Sequence, residues 1–242
     1  VSVESMCKTL DVKLNEIPDW NCCAASIGYA EGGELPRHIM NARNIAISEK
    51  EHPGQDIVAT CAACWLGAKE SQERINHSDS LMGDINTILG EIGLKYEGKQ
   101  HIRHMVEVLI EDFGYEQLGK PVVKPLAGLK FAGYVGCQTN RPFGIAGESF
   151  ENPMYLDKLV ETVGAEPIEN YDQKVTCCGG ASADFSAVPS FMPSLKPLTA
   201  PPRSWPTLRS FLVPKISTMI SRTISQCQML NEPIAFSSVS IA

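Results

Sequence analysis

Nine cysteines, more than any other feature, limit what this chain can fold into. They stand at positions 7, 22, 23, 61, 64, 137, 177, 178 and 227. Cys22-Cys23 and Cys177-Cys178 are vicinal pairs, and Cys61-x-x-Cys64 is a spaced one. The number is odd, and adjacent cysteines bridge each other only through a strained ring. The opening residues, Val1-Ser-Val-Glu-Ser, lack the basic start and apolar stretch of a secretion signal. A secreted disulfide scaffold is therefore a poor reading. Paired thiols in a reduced compartment point to metal or redox chemistry, and to a cytoplasmic location.

Composition narrows the setting. At 242 residues, 43% hydrophobic and 20% charged, the chain is long enough for one large domain or two small ones with a real core. A net charge of −7 argues against general nucleic-acid binding. No apolar run reaches the length of a membrane-spanning helix.

The hydrophobic pattern alternates helices with short strands. Val3, Met6, Cys7 and Leu10 share a helical face, on which Cys7 reads as a small buried hydrophobe. Residues 12–17 suit a strand, broken by Pro18-Asp19, and Cys22-Cys23 follow in a loop. A helix is expected over residues 36–50 and a buried strand over 56–60, with Cys61 at its end. Leu81 to Ile92 and Ile102 to Phe113 form two further helical stripes, the second ended by Gly114. A strand over 129–135 would deliver Cys137, a helix would start at Asn152-Pro153 and end at Gly164, and 165–169 would form a short strand.

The segment leading to Cys22-Cys23 resembles the one leading to Cys177-Cys178, which suggests a duplicated α/β unit with parallel sheets. Ligands of such sheets bind beyond the C-terminal ends of the strands. The expected division is a first unit over 1–125, a second over 126–180 and an irregular tail over 181–242. The tail holds none of the 19 glycines and 8 of the 16 prolines, with five Lys/Arg against two Asp/Glu. A break this sharp marks a disordered or frame-shifted end.

On residues alone, three chemistries stay open. Soft thiolates suit iron–sulfur clusters, zinc or thiol redox. Vicinal donors reach two metals of one cluster more readily than a single tetrahedral zinc ion. A strand followed by Cys61-x-x-Cys64 at a helix start is also the context of a thioredoxin-like dithiol, but that motif leaves the vicinal pairs unexplained.

The order Cys22-Cys23, 37 residues, Cys61-x-x-Cys64, and again Cys137, 39 residues, Cys177-Cys178-Gly179-Gly180, resembles the cysteine-rich CCG family, which includes the B subunit of heterodisulfide reductase. Local wording agrees: Glu16-Ile-Pro-Asp-Trp-Asn-Cys-Cys, Ala42-Arg-Asn, Cys61-Ala-Ala-Cys, Tyr134-Val-Gly-Cys and Glu151-Asn-Pro. The likeness covers residues 1–180. It implies that Cys22, Cys23, Cys61 and Cys64 bind a noncubane 4Fe-4S cluster, with the family's leading cysteine falling before Val1. It implies a second cluster at Cys137, Cys177 and Cys178, whose closing Cys-x-x-Cys is absent near position 215.

The family's chemistry is reduction of a small (hetero)disulfide in one-electron steps. No ferredoxin-type cysteine run and no Gly-x-Gly-x-x-Gly fingerprint is present. Electrons would then come from a C-subunit-like partner with cubane iron–sulfur clusters, and a flavin subunit would be a further partner. The rival readings are an electron-transfer subunit without a substrate of its own and a zinc-binding structural protein. His101 and His104 read as partly exposed helix histidines, Trp20 as loop packing and Arg141 as a surface ion-pairing residue.

Overall fold

The computed structural model describes residues 2–24, 34–169 and 171–177, and the backbone of 236–240. The fold is mixed α/β, with small parallel strand pairs flanked by helices. Helix α1 (Ser2–Thr9) turns its apolar face inward, and Cys7 is buried on it. Strand β1 (Lys13–Glu16) follows. Helix α2 (Leu35–Glu51) has proline in its first turn, where a missing N–H costs nothing. Strand β2 (Asp56–Ala59) leads through Cys61 into helix α3 (Ala62–Asn76). Helix α4 (Asp79–Gly90) starts at Ser78, whose hydroxyl accepts the Leu81 N–H at 3.3 Å.

Strand β3 (Ile102–His104) runs parallel to β2, with Ile57 opposite Ile102 and Ala59 opposite His104. The expected helix over 102–113 therefore begins three residues late. Helix α5 (Met105–Val108) passes into a π-helical turn (Leu109–Phe113) and then helix α6 (Gly114–Gly119). Short apolar runs suit strand and helix alike, and here the open edge of β2 decides. His104 caps α5, accepting the Val106 N–H at 3.2 Å while Glu107 reaches back to the His104 N–H. It is buried, so the reading of His104 as a partly exposed helix residue does not hold; His101 lies just outside the strand and is exposed. Gly114, at φ +74°, ends the π turn, but the chain continues as helix.

The second parallel pair is β4 (Lys130–Phe131) with β5 (Glu166–Pro167), connected through helix α7 (Tyr155–Thr162). Both strands are shorter than the pattern predicts. Cys137 consequently sits in a turn rather than at a strand end. Strand β6 (Phe236–Ser240) lies antiparallel between β1 and β2. For these five residues the tail is not irregular: the backbone edges of β1 and β2 place it, not a side-chain pattern. The rest of the tail, with Cys227, lies outside the described residues, as does Cys178.

The main core joins Ile17, Ile45, Ile57, Trp65, Ile75, Ile85 and Ile102 to Ile145 and Tyr155 from the later part of the chain. Trp65, fully buried, meets His104 edge-on at 6.0 Å and Phe143 at 6.2 Å between ring centres. Residues following Cys137 are thus packed directly on the helix that begins at Cys61.

Candidate metal centre

Ile17 anchors the end of β1 in the core, and Pro18 prevents further pairing. The chain then crosses the face of α2, which holds it with three polar side chains. Asn44 accepts the Asn21 N–H at 3.0 Å and donates to the Asn21 carbonyl at 2.7 Å. Asn41 donates to the Cys23 carbonyl at 3.0 Å. Arg43 donates to the Asp19 carbonyl at 2.6 Å and to Asn21 Oδ1 at 3.1 Å, and pairs with the Asp19 carboxylate. Cys23 is buried at 2% exposure, whereas Cys22 faces outward.

Cys61 occupies the N-cap of α3 in extended conformation, and Cys64 lies one turn on, buried. Gly67 of α3 faces the Cys23 loop, where an added side-chain carbon would stand in ordinary contact, 3.8 Å from Cys23 Cβ and from the Asn41 amide. The two cysteine pairs, 37 residues apart in sequence, therefore meet. The thiols form a row in which Cys22 meets Cys23, Cys23 meets Cys64, and Cys64 meets Cys61.

This row is electrically asymmetric. The Cys64 thiol donates to Cys61 and, against the effect of burial, brings its pKa down to about 6; the N–H dipoles of Cys64 and Ala63 at the helix start add to this. Cys64 is pushed up, first by its contact with Cys23, then by that with Cys61 and by burial. Cys22 is also raised, by its contact with Cys23 and then by burial. Cys61 is thus poised as a thiolate beside a protonated Cys64.

Among the described residues, no three His, Cys, Asp or Glu side chains are gathered as a single metal ion requires. The four sulfurs neighbour one another across the two loops, and the described cysteines are thiols rather than disulfides. Four thiols brought together in this way are soft donors, of the kind that binds zinc, copper(I) or iron–sulfur clusters.

The second group is built differently. The N–H groups of Val135 and Gly136 both donate to the Lys174 carbonyl, at 3.0 and 3.1 Å. Cys137 follows this junction by one residue and Cys177 lies three residues beyond Lys174. Cys137 is half-buried and Cys177 exposed. Arg141, exposed, pairs with Glu151 at 2.7 Å, as the sequence suggested. Trp20 packs against the main core and donates to the Glu16 carboxylate at 3.1 Å.

Sequence reasoning missed Asn41, Arg43 and Asn44. The available signal was a set of polar residues recurring on the helix face that should be buried; Asn41 and Asn44 lie one turn apart.

No protein-family model matches the chain. Several characterised proteins are similar to it. The 8-methylmenaquinol:fumarate reductase membrane anchor subunit of Wolinella succinogenes is 30% identical over 179 residues, covering 74% of this chain and 60% of that protein. The B subunit of the ferredoxin/F(420)H(2)-dependent CoB-CoM heterodisulfide reductase of Methanosarcina acetivorans is 31% identical over 172 residues, 70% of this chain and 56% of the relative. A protein of Archaeoglobus profundus, named for its likeness to the heterodisulfide reductase B subunit, is 29% identical over 182 residues, 74% and 60%. The chain spans a little over half the length of these relatives. No described helix is long and apolar enough to cross a membrane. Over about seven-tenths of its length, the chain is similar to the B subunit of heterodisulfide reductase.

Proposed function

We propose that the chain is an iron–sulfur oxidoreductase subunit of a heterodisulfide reductase-like complex, reducing a small disulfide to two thiols with electrons from a partner. The observation that carries this reading is the meeting of Cys22-Cys23 with Cys61 and Cys64, two loops distant in sequence, in a chain similar to heterodisulfide reductase B subunits. Cys22, Cys23, Cys61 and Cys64 would hold a noncubane 4Fe-4S cluster. Cys137, Cys177 and Cys178 would hold a second one with an incomplete ligand set, in a second unit over 126–180 following a first over 1–125. Such a cluster, when bound, supplies single electrons to a disulfide sulfur.

The chain's own residues do the rest. Asn41 and Asn44 fix the peptide of the vicinal pair, so its sulfurs need little ordering on binding. Cys61 offers its sulfur already favoured as thiolate. The electrons would come from a C-subunit-like partner with cubane clusters, with a flavin subunit as a further partner, in the cytoplasm. A second reading is an electron-transfer subunit with no substrate of its own; the Wolinella relative is named for a fumarate reductase rather than for a disulfide reductase.

Anaerobic purification followed by iron and sulfide analysis tests both. About four irons per chain indicates one filled site and about eight indicates two. An EPR signal that shifts on adding thiol or disulfide supports a substrate site, and an unresponsive signal supports the relay. Colourless protein with zinc would sink both.

A further inference from the structure

We propose that the buried Lys174–Asp157 ion pair is the positioning device of the second cysteine group, fixing the junction from which Cys137 and Cys177 both project. The proposal rests on reading those cysteines as one ligand set. Lys174 and Asp157 are 3% and 1% exposed, and Nζ lies 2.5 Å from Asp157 Oδ2. Nζ also donates to Asn152 Oδ1 at 3.1 Å and stands 3.4 Å from the Met154 sulfur. Charges this deeply buried persist only when paired, and removing one partner leaves the other stranded in a medium of low polarity.

The pair does more than hold a loop down. Asp157 lies in the first turn of α7, and Asn152 and Met154 lead into that helix. The Lys174 side chain therefore clasps the start of α7, while its carbonyl receives the Val135 and Gly136 N–H groups. The Tyr134 hydroxyl donates to the Thr176 carbonyl from the same side. Gly136, at φ +71°, then turns the chain into Cys137. A three-residue span reaches at most about 10 Å, so both cysteines remain within that range of the Lys174 junction. Strands β4 and β5 are two residues each and could not set this register alone.

The test uses the full chain freed of metal, oxidised mildly with copper phenanthroline and mapped by peptide mass. A bridge joining Cys137 to the Cys177-Cys178 peptide reports the second group, and a Cys61–Cys64 bridge in the same sample is the reference. Asp157→Asn and Lys174→Met should each slow the Cys137 bridge by about tenfold or more while leaving the reference within about twofold. Asp157→Glu, which keeps the carboxylate, should recover most of the rate. Unchanged bridging in both variants, or equal slowing of both bridges, overturns the proposal. If the variants fail to fold, hydrogen exchange on the wild type decides: the Val135 and Gly136 amides should be strongly protected, and exchange at the rate of an open loop overturns it. The assay needs no cluster, so failure of the iron–sulfur reading would show in the iron count and not here.

Discussion

The two cysteine regions solve one problem with different materials. Cys22, Cys23, Cys61 and Cys64 sit between helices of 17 and 15 residues that share a large apolar core, and side-chain hydrogen bonds from α2 hold the vicinal loop. Cys137 and Cys177 hang from two backbone hydrogen bonds, two-residue strands and one buried ion pair. The first arrangement derives its rigidity from packing, which is cooperative and insensitive to any one polar contact. The second rests on a handful of backbone contacts and one buried ion pair. A site of the first kind is preorganised before any ligand arrives, whereas one of the second kind owes its shape to a few groups.

The sharpest break in this comparison is iron content. Cys64→Ser should abolish iron at the first group, a loss of about four per chain, and Cys177→Ser should leave that iron in place. Equal loss in both variants would mean that the two regions share one site. Next in size is thiol reactivity in metal-free protein. Alkylation of Cys61 should fall about tenfold per pH unit below a midpoint near 6, because its thiolate is already formed above that pH. A midpoint near that of an ordinary thiol would remove the asymmetry claimed for the row.

A smaller effect concerns His104, whose pKa burial holds down at about 4. The unfolded histidine binds its proton first, so the stabilisation is complete above about pH 6.5 and is lost as pH falls toward 4. Urea midpoints of wild type should drop over that window by the equivalent of about 2–3 kcal/mol more than those of His104→Asn. Parallel pH profiles would contradict the burial argument. Smallest is the contrast between polar contacts in the two regions. Asn44→Ala should cost about 1–2 kcal/mol in urea unfolding, since it leaves both the N–H and the carbonyl of Asn21 without a partner. Arg141→Ala, which removes an exposed pair, should cost less than about 1 kcal/mol.

Much of the fold was legible because it rests on local signals. The helix at α2 announced itself by Pro36 and its apolar spacing, and β2 by a short β-branched run before Cys61. The error at residues 102–104 has a physical cause. Ile102 and its neighbours carry a pattern compatible with either state, and only the free edge of β2 makes them a strand. The α2 residues that hold Asn21 and Cys23 were only half legible for a related reason: Asn41 and Asn44 recur on the face that should be buried, but their partners are not defined until the loop is in place.

The spacing and kind of the cysteines were the sequence's own contribution. They excluded a disulfide scaffold, separated two groups of thiols and pointed to the likeness with the B subunit of heterodisulfide reductase, because side-chain chemistry and intervals along the chain exist before folding. That Cys23 meets Cys64, that Cys61 becomes the acidic thiol of the row, and that Lys174 and Asp157 bury their charges together were decided only by the tertiary structure. Proximity across dozens of residues, and the low polarity that shifts a pKa or strands a charge, arise only when separate elements pack against one another.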